Sequence, residues 1–343
     1  MDHIAKLPSS HRSPDPRRVL VLGATGTIGR ATVHALLRRG HQVVCLVRPR
    51  AGVDGALTPD RSVELLKGAI VRFGDVTDPR SLVREGFRGE RFDALVSCLA
   101  SRTGLPKEAW AIDHQAHVSA LAAAKESGAS QMVLLSAICV QKPLLAFQHA
   151  KLAFESVLME SGLTYSNVRP TAFFKSLSGQ ISRLKQGKPF VVFGDGMRTA
   201  CKPIGDNDLA HYLAECLDDT RRHNRILPIG GPGDAITPRQ QGEHLFALLG
   251  RTPQFKQVPI ALLDAVARTL GGLGRVVPSL AGKAELARIG RFYATESMLV
   301  LDPVSGRYDA DATPSVGSET LFDFYARLIK GEAETERGDH AVF

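Results

Sequence analysis

Residues 18–29 read Arg-Val-Leu-Val-Leu-Gly-Ala-Thr-Gly-Thr-Ile-Gly, an apolar run followed by three glycines at a spacing of three. The apolar run predicts a buried strand, and the residues after the glycines predict a helix. Gly23 permits a tight turn, Gly26 lets the backbone approach a ligand, and Gly29 lets the helix pack closely on the strand. The unpaired N–H groups of the first helical turn would then face a dinucleotide pyrophosphate.

Apolar, β-branched runs alternate with helical patterns through the first half of the chain. Strands are predicted over residues 18–22, 42–47, 69–73, 92–99, 131–135 and 164–168. Strands separated by helices pair in parallel through right-handed crossovers. We therefore expect an α/β protein with a doubly wound parallel Rossmann sheet, whose ligand crevice lies beyond the carboxyl ends of the strands.

Domain boundaries follow from a loosening of this pattern after about residue 170, where glycines and prolines become frequent. We expect an NADP-binding Rossmann domain over residues 17–170. A smaller C-terminal substrate-binding lobe is expected over residues 171–330 and contributes in part to the sheet. Residues 1–16 are predicted to be disordered, and residues 331–343 to form a flexible tail.

Composition restricts the class of protein. Hydrophobic residues make up 44% and charged residues 23%, which is typical of globular proteins. Five cysteines without a C-x-x-C pair indicate a reduced, cytoplasmic protein without a metal site, and no apolar stretch is long enough to predict a membrane span. The net charge of +8 lacks the basic runs with interleaved aromatic residues that would indicate a nucleic-acid partner.

The end of the second predicted strand bears on which cofactor is bound. It reads Val47-Arg48-Pro49-Arg50, without the acid that binds the ribose 2′-hydroxyl in NAD-specific sites. Arg48 can instead grip a 2′-phosphate, and Arg30 adds positive charge directly after the third glycine. The pattern predicts NADPH over NADH, unless Arg48 and Arg50 are merely solvated at the strand end.

Further cofactor contacts are expected where later strands end. Asp75 could accept a hydrogen bond from the adenine amino group or simply form a turn, and Val76 offers an apolar face. Cys98 and Leu99 should lie along the middle of the cofactor. The predicted cofactor-binding residues are Gly23, Thr25, Gly26, Thr27, Ile28, Gly29, Arg30, Arg48, Asp75, Val76, Cys98, Leu99 and Lys151.

Ser136 follows the fifth predicted strand, and the next helix begins Phe147-Gln148-His149-Ala150-Lys151. This layout resembles the short-chain dehydrogenase/reductase superfamily, whose signature is a serine here and Tyr-x-x-x-Lys on the helix. The lysine is Lys151, but Phe147 occupies the tyrosine position. Because phenylalanine donates no proton, the residues favour reduction of a conjugated C=C bond, or binding without turnover, over ketone reduction. Lys151 and Ser136 are the candidate catalytic residues, and Tyr293 is an alternative acid.

Longer runs resemble the divinyl (proto)chlorophyllide 8-vinyl-reductases, a family of atypical short-chain reductases, from about residue 18 to the C-terminus. The runs are residues 97–102, 134–143, 168–175, 193–196, 227–233 and 296–303. The resemblance implies NADPH-dependent reduction of the 8-vinyl group of a divinyl Mg-tetrapyrrole to ethyl, in chlorophyll or bacteriochlorophyll biosynthesis. It leaves open whether the substrate is the protochlorophyllide, the chlorophyllide or an earlier Mg-porphyrin.

Substrate contacts are predicted on the basis of that ligand. Phe147, Phe173 and Phe174 would line a flat apolar pocket or belong to the core. One lysine would meet a propionate, and the candidates are Lys142, Lys175 and Lys202.

Two other functions remain open, a non-catalytic NADP(H)-binding regulator or assembly factor and a reductase of another conjugated alkene. The apolar segment 261–280, which carries Asp264, Arg268 and Arg275, would either pack in the lobe or contact a membrane surface. In the second case the protein would lie peripheral to photosynthetic membranes.

Overall fold

The computed structural model describes residues 15–52, 55–273 and 278–333. Its strands are β1 (Arg18–Leu22), β2 (Gln42–Val47), β3 (Ile70–Phe73), β4 (Ala94–Ser97), β5 (Gln131–Leu135), β6 (Thr164–Pro170), β7 (Phe190–Phe193), β8 (Arg225–Ile229), β9 (Phe255–Val258), β10 (Val300–Leu301) and β11 (Tyr308–Asp309). Its α-helices are α1 (Thr27–Arg38), α2 (Pro59–Leu65), α3 (Pro79–Ser81), α4 (Pro106–Ala109), α5 (His117–Glu126), α6 (Ala146–Met159), α7 (Phe174–Leu177), α8 (Ile181–Lys185), α9 (Asp206–Glu215), α10 (Pro238–Leu248), α11 (Ile260–Leu273), α12 (Pro278–Thr295) and α13 (Leu321–Lys330). Two π-helical segments cover Leu82–Phe87 and Trp110–Ala116.

Among the described residues, seven strands form one sheet in the order β3-β2-β1-β4-β5-β6-β8. Every pair of neighbours in this sheet is parallel. The strand order reverses between β1 and β4, so a crevice opens beyond their carboxyl ends. The predicted doubly wound Rossmann sheet is confirmed. Its seventh strand, β8, comes from the second half of the chain and pairs with β6.

Local sequence explains the first strand–helix–strand unit. The side chains of Val19 to Leu22 are fully buried, which suits a central strand of a parallel sheet. On α1, Val33 and Leu36 face the sheet, and the chain leaves the helix through Gly40 at a φ of +83°. This unit therefore fixes the position of the glycine loop relative to the sheet.

Helices cover both faces of the sheet and bury two separate apolar clusters. On one face α1 and α9 pack together, with Leu209 and Leu213 of α9 in the cluster. On the other face α5 and α6 contribute Ala120, Phe154 and Leu158. Both faces are thus closed to water, and the strand ends are left as the place for a ligand.

A third apolar cluster forms the core of the second lobe. The lobe's parallel pair of strands, β7 and β9, packs with α10 and α13 around Phe190, Leu245 and Tyr325. Capping boxes start both helices, from Thr237 on α10 and Thr320 on α13. The lobe therefore has a core of its own beside the sheet.

Several boundaries differ from those predicted. The fourth strand is β4, Ala94–Ser97, so Cys98 and Leu99 lie beyond it, where the chain meets the turn at Gly23. Between β4 and β5, the π-helical segment Trp110–Ala116 joins α4 to α5 and changes the direction of the side chains.

Parts of the predicted tails, residues 1–14 and 334–343, lie outside the described residues, as does Arg275. Within the described part of the chain, no helix is both long and apolar enough to cross a bilayer. The same residues contain no group of three or more His, Cys, Asp or Glu side chains that could hold a metal ion.

Candidate active site at the carboxyl ends of the strands

Two of the three loop glycines are required by the fold itself. Gly23 has a φ of +72°, and an added Cβ would lie 2.6 Å from the carbonyl carbon of Cys98. A Cβ on Gly29 would lie 2.0 Å from the carbonyl oxygen of Gly23. Both distances are far inside van der Waals contact, so β1, β4 and α1 can meet only around glycines.

Gly26 is different, because an added Cβ would meet its nearest neighbour, the Gly23 oxygen, at 3.4 Å. Gly26 is exposed and caps α1, and no described side chain accepts from the N–H groups of the first turn. These N–H groups and the helix dipole form a site for an anion. The glycine spacing predicts a pyrophosphate group at this position, and the exposed Gly26 leaves the N–H groups accessible to such a ligand.

A lysine from the far end of the sheet reaches this loop. Lys175, at the start of α7, donates from Nζ to the hydroxyl oxygen of Thr27 at 2.7 Å. Asp206 lies in the same charged group: burial raises the pKa of its carboxyl, and the positive charges of Lys175 and Arg30 oppose that rise. Lys175 was predicted as one candidate for a substrate propionate, but this position is beside the expected cofactor phosphates.

The residues predicted to bind the adenosine half lie at neighbouring strand ends. Arg48 is exposed directly after β2. Asp75 accepts at one carboxylate oxygen from the Thr77 backbone N–H at 2.8 Å and from its hydroxyl at 2.7 Å, which is the turn alternative. Val76 is 7% exposed and packs in the core beneath the sheet.

Lys151 is held at the crevice by an ion pair with a buried acid. Its Nζ lies 3.0 Å from a carboxylate oxygen of Asp113, whose side chain is fully buried. Asp113 also accepts from the backbone N–H and the hydroxyl of Ser101. Asp113 lies in the π-helical segment before α5, and sequence reasoning missed it because no motif marks an acid at that position.

His117 lies one turn beyond Asp113 and supports the same region. Its ring nitrogens contact the Ser97 hydroxyl at 2.8 Å and the Ile112 carbonyl at 2.8 Å. Burial, followed by the charge of Lys151, lowers the pKa of His117 to about 4. The ring is therefore neutral at physiological pH and joins β4 to the π-helical segment.

Ser136 follows β5 as predicted, but its hydroxyl points to another partner. It donates to the carboxylate of Glu155 on α6, and Glu155 is paired in turn with Arg169 of β6. Ser136 is 5% exposed. This arrangement favours a structural role at the strand end over the predicted catalytic one.

The three phenylalanines predicted to line a pocket occupy different surroundings. Phe147 is half-buried and faces Gly104, where an added methyl group would lie 3.2 Å from the ring. Phe173 is half-buried and packs on the core of the Rossmann sheet. Phe174 is 2% exposed and packs against Phe324, with ring centroids 5.4 Å apart, in the core of the second lobe. The pocket role is therefore corrected for Phe174, because its ring is enclosed by the lobe.

The other two lysines considered for a propionate have partners within the second lobe. Lys142 forms an ion pair with Glu296 at 2.7 Å, and Tyr308 donates to the same carboxylate at 2.8 Å. Lys202 donates to the carbonyl oxygen of Thr313 at 3.3 Å. His149 is exposed on the surface of α6.

Helix α12 of the second lobe packs on the crevice. Its residues Ile289 and Phe292 share an apolar cluster with Ile138, Cys139 and Phe147 of the first domain. The molecule is thus arranged to hold a dinucleotide on the glycine loop, with Lys151 and an apolar surface at the far end. That arrangement places it among the nucleotide-dependent reductases of the short-chain type.

Comparisons with known proteins define the family more narrowly. A family described as NAD(P)H-binding matches residues 23–220. Divinyl chlorophyllide a 8-vinyl-reductase of Oryza sativa subsp. indica is 50% identical over 345 residues, which cover 99% of this chain and 85% of that protein. The Zea mays protein of that name is 51% identical over 331 residues, covering 95% of this chain and 82% of the relative. The chain belongs to the divinyl chlorophyllide a 8-vinyl-reductase family.

Solved structures agree on the fold. The binary complex of leucoanthocyanidin reductase with NADPH from Vitis vinifera aligns with a TM-score of 0.65 over 91% of this chain and 99% of that one. The sequence identity is 17%, so this likeness shows the fold alone.

Proposed function

We propose that this protein reduces the 8-vinyl group of a divinyl Mg-tetrapyrrole, the divinyl chlorophyllide or protochlorophyllide, to ethyl with NADPH. The observation that carries the proposal is Phe147 at the position of the usual tyrosine, beside a Lys151 that Asp113 holds in place. Reducing a vinyl group on a conjugated ring develops negative charge on carbon and in the macrocycle. An acid placed for a carbonyl oxygen is therefore dispensable.

The residues present fit NADPH, which when bound supplies the hydride. The backbone around Gly26 would hold the pyrophosphate, and Thr27 with Lys175 would complete that site. Exposed Arg48 would bind the 2′-phosphate through its guanidinium. Lys151 would meet the nicotinamide ribose or stabilise charge in the macrocycle. The described residues directly after β2, residues 48–52, include no acid.

The substrate site would lie between the loop after β4, the start of α6 and α12. The loop and α12 approach closely, because a methyl group added to Gly104 would lie 3.2 Å from both Phe147 and Ile289. Nearby on α12, Leu286 is 44% exposed, and a Cβ added to the buried Gly290 would meet no atom within 4 Å. An apolar surface with space beside it suits a flat ring.

The test is anaerobic incubation of the purified protein with each divinyl tetrapyrrole and NADPH, in parallel with NADH. Chromatography and mass spectrometry should find a product two hydrogens heavier, with a blue-shifted Soret band, formed faster with NADPH. Tight NADPH binding without product from either tetrapyrrole would favour the non-catalytic regulator or assembly factor. Turnover of a phenylpropanoid alkene instead would favour the third function.

We also infer that α11 contacts a membrane surface, which would place the enzyme beside photosynthetic membranes. Of the side chains described in α11, Ala267 is the one that is buried, while Leu262 and Leu273 are 54% and 51% exposed. Arg268, exposed on the same helix, and Arg288 of α12 line a cavity together with Ala267 and Asp264. Apolar side chains flanked by arginines are typical of contact with anionic lipids.

Sedimentation with lipid vesicles tests this contact. The protein should bind vesicles of phosphatidylglycerol and phosphatidylcholine, and Leu262→Glu should weaken that binding. Val304→Glu is the matched control, because Val304 is 94% exposed and lies outside α11. Equal binding by both variants, or no binding by the wild type, would contradict membrane contact.

A further inference from the structure

The proposed substrate carries a carboxylate as well as a vinyl group, because chlorophyllides and protochlorophyllides have a free propionate. We propose that Lys142 binds this propionate, so that the protein acts on the free acid in preference to its esters. The inference rests on the proposed function and adds to it a subsite for an anion at the edge of the ring.

Helix α12 turns one face toward the crevice, and the acid that holds Lys142 follows on that face. Ile289 and Phe292 of α12 are buried in the apolar cluster that includes Phe147. Glu296 comes one turn later, since its backbone N–H donates to the carbonyl oxygen of Phe292 at 2.9 Å. The spacing 289, 292 and 296 places these residues on one side of the helix. Tyr293, the alternative acid considered from the sequence, is 37% exposed and lies outside the cluster.

Lys142 reaches the same place from the first domain. It follows the 3₁₀ turn Ile138–Gln141 after β5, and Ile138 and Cys139 of that turn belong to the apolar cluster. The Lys142 Nζ lies 2.7 Å from a carboxylate oxygen of Glu296. The ammonium group therefore lies at the border of the apolar surface on which the ring is expected to pack.

This ammonium group is held in position and still accessible. The Lys142 side chain is 43% exposed, whereas that of Glu296 is 12% exposed. Tyr308 donates to the same oxygen of Glu296 at 2.8 Å, so this carboxylate keeps a donor when Lys142 turns toward a ligand. An ammonium group has three N–H donors, so the contact with Glu296 leaves donors on the exposed side for a second carboxylate.

Other cations near the crevice have partners elsewhere. Lys175 donates to Thr27 beside the glycine loop. Lys202 donates to the carbonyl oxygen of Thr313 at 3.3 Å. Arg291 of α12 is paired with an acid of α11. Of these cations, none has the combination found at Lys142, an exposed end beside the apolar cluster and an acid that orients it.

The positions of two lysines suit the shape of the substrate. The 8-vinyl group and the propionate are carried by opposite pyrrole rings of the macrocycle. Lys151 lies one turn after Phe147 on α6 and is paired with Asp113 of the first domain. Lys142 lies before α6 and is paired with Glu296 of the second lobe. A ring packed around Phe147 would therefore meet Lys151 near its vinyl edge and Lys142 near its propionate edge.

The experiment compares divinyl chlorophyllide with its methyl ester, which keeps the ring but removes the charge of the propionate, in steady-state assays with NADPH. Wild-type kcat/KM should be about tenfold or more higher for the acid, mainly through KM, because the ester loses a charge-assisted hydrogen bond. Lys142→Met should raise the KM for the acid to that for the ester and leave the ester unchanged. The KM for NADPH should stay within about twofold of wild type.

Three variants serve as controls. Lys142→Arg should keep the preference for the acid, since it keeps the charge. A half-exposed ion pair adds little to stability, so both Lys142 variants should fold. Lys202→Met removes another lysine, and Arg102→Gln removes a half-buried arginine on the loop after β4. Each of these two should change kcat/KM for acid and ester by the same factor. Loss of the preference in either, with Lys142→Met unaffected, would assign the propionate to that residue and overturn the role of Lys142.

An absorbance titration with both tetrapyrroles separates this inference from the proposed function. Tighter binding of the acid without any product would contradict vinyl reduction and still support the subsite. Equal binding and equal turnover of acid and ester by the wild type would overturn the subsite and leave vinyl reduction in place. An undiminished acid preference in Lys142→Met would also overturn the subsite, and failure to bind either tetrapyrrole would contradict both proposals.

Discussion

The two glycines Gly26 and Gly29 should respond to alanine in opposite ways. At Gly29 the added methyl group would lie 2.0 Å from the Gly23 oxygen, so the helix must move away from the sheet. Such a clash in a packed region costs several kcal/mol, at least about 4. At Gly26 the contact is 3.4 Å and the backbone, with φ −70° and ψ 163°, is one that alanine adopts. The cost to the free protein is about 1 kcal/mol or less, as for other poor N-cap residues.

For the affinity for NADPH, we expect Gly26→Ala to have a clear effect although it changes stability little. The Gly26 methyl group would occupy the space over the first N–H groups of α1, so Gly26→Ala should weaken NADPH binding at least about tenfold, or 1.4 kcal/mol. Thermal unfolding and a fluorescence titration with NADPH measure the two effects separately. We expect a melting temperature within about 4 °C of wild type for Gly26→Ala and a drop of about 8 °C or more for Gly29→Ala. Wild-type NADPH affinity in Gly26→Ala, or wild-type stability in Gly29→Ala, would refute the assignment of the loop.

Three further predictions concern charged groups. Asp113→Asn removes the partner of Lys151 and should lower kcat/KM about tenfold or more in steady-state assays; wild-type kinetics would show that the ion pair does not matter. Arg48→Ala should raise the KM for NADPH much more than that for NADH, whereas the neighbouring Arg50→Ala is the matched comparison; equal effects of Arg48→Ala on both cofactors would exclude a 2′-phosphate contact. The pKa of His117 is lowered from 6.5 to about 4 in the folded protein, so between these pH values the unfolded chain binds a proton at His117 and the folded chain does not. The free energy of unfolding should therefore fall by about 3 kcal/mol as the pH is lowered from 6.5 to 4. Denaturant titrations should show a smaller fall in His117→Gln.

The Rossmann half could be predicted from sequence because its signals are local. β1, β2 and β5 have the predicted bounds, since each is a buried apolar run with polar or turn-forming neighbours. The second lobe gave weaker signals, because β7 and β9 have four residues each and form a separate two-stranded sheet. Helix α12, Pro278–Thr295, was not predicted from the sequence, since its polar and apolar residues follow a less regular pattern.

The residues of the candidate site also differ in how well the sequence predicts them. The glycine loop and Lys151 could be predicted because the motifs that mark them are local in the sequence. The contact of Lys175 with Thr27 joins positions 148 apart in sequence, and no local pattern reports such a distance. Asp113 could not be predicted for a different reason. The inward direction of its side chain depends on the π-helical segment that contains it.

With phenylalanine at the usual tyrosine position, catalysis depends on different parts of the protein coming together. In the short-chain signature the acid and the lysine share one helix, so their spacing is fixed by that helix alone. Here Phe147 and Lys151 lie on α6, whereas Ile289 and Phe292 of the apolar surface proposed for the substrate lie on α12 of the other lobe. The apolar cluster between these helices then fixes the position of that surface relative to Lys151. Substitutions in that cluster, Ile289→Ala for example, should therefore impair turnover of the tetrapyrrole while leaving NADPH affinity intact, because the glycine loop lies outside it.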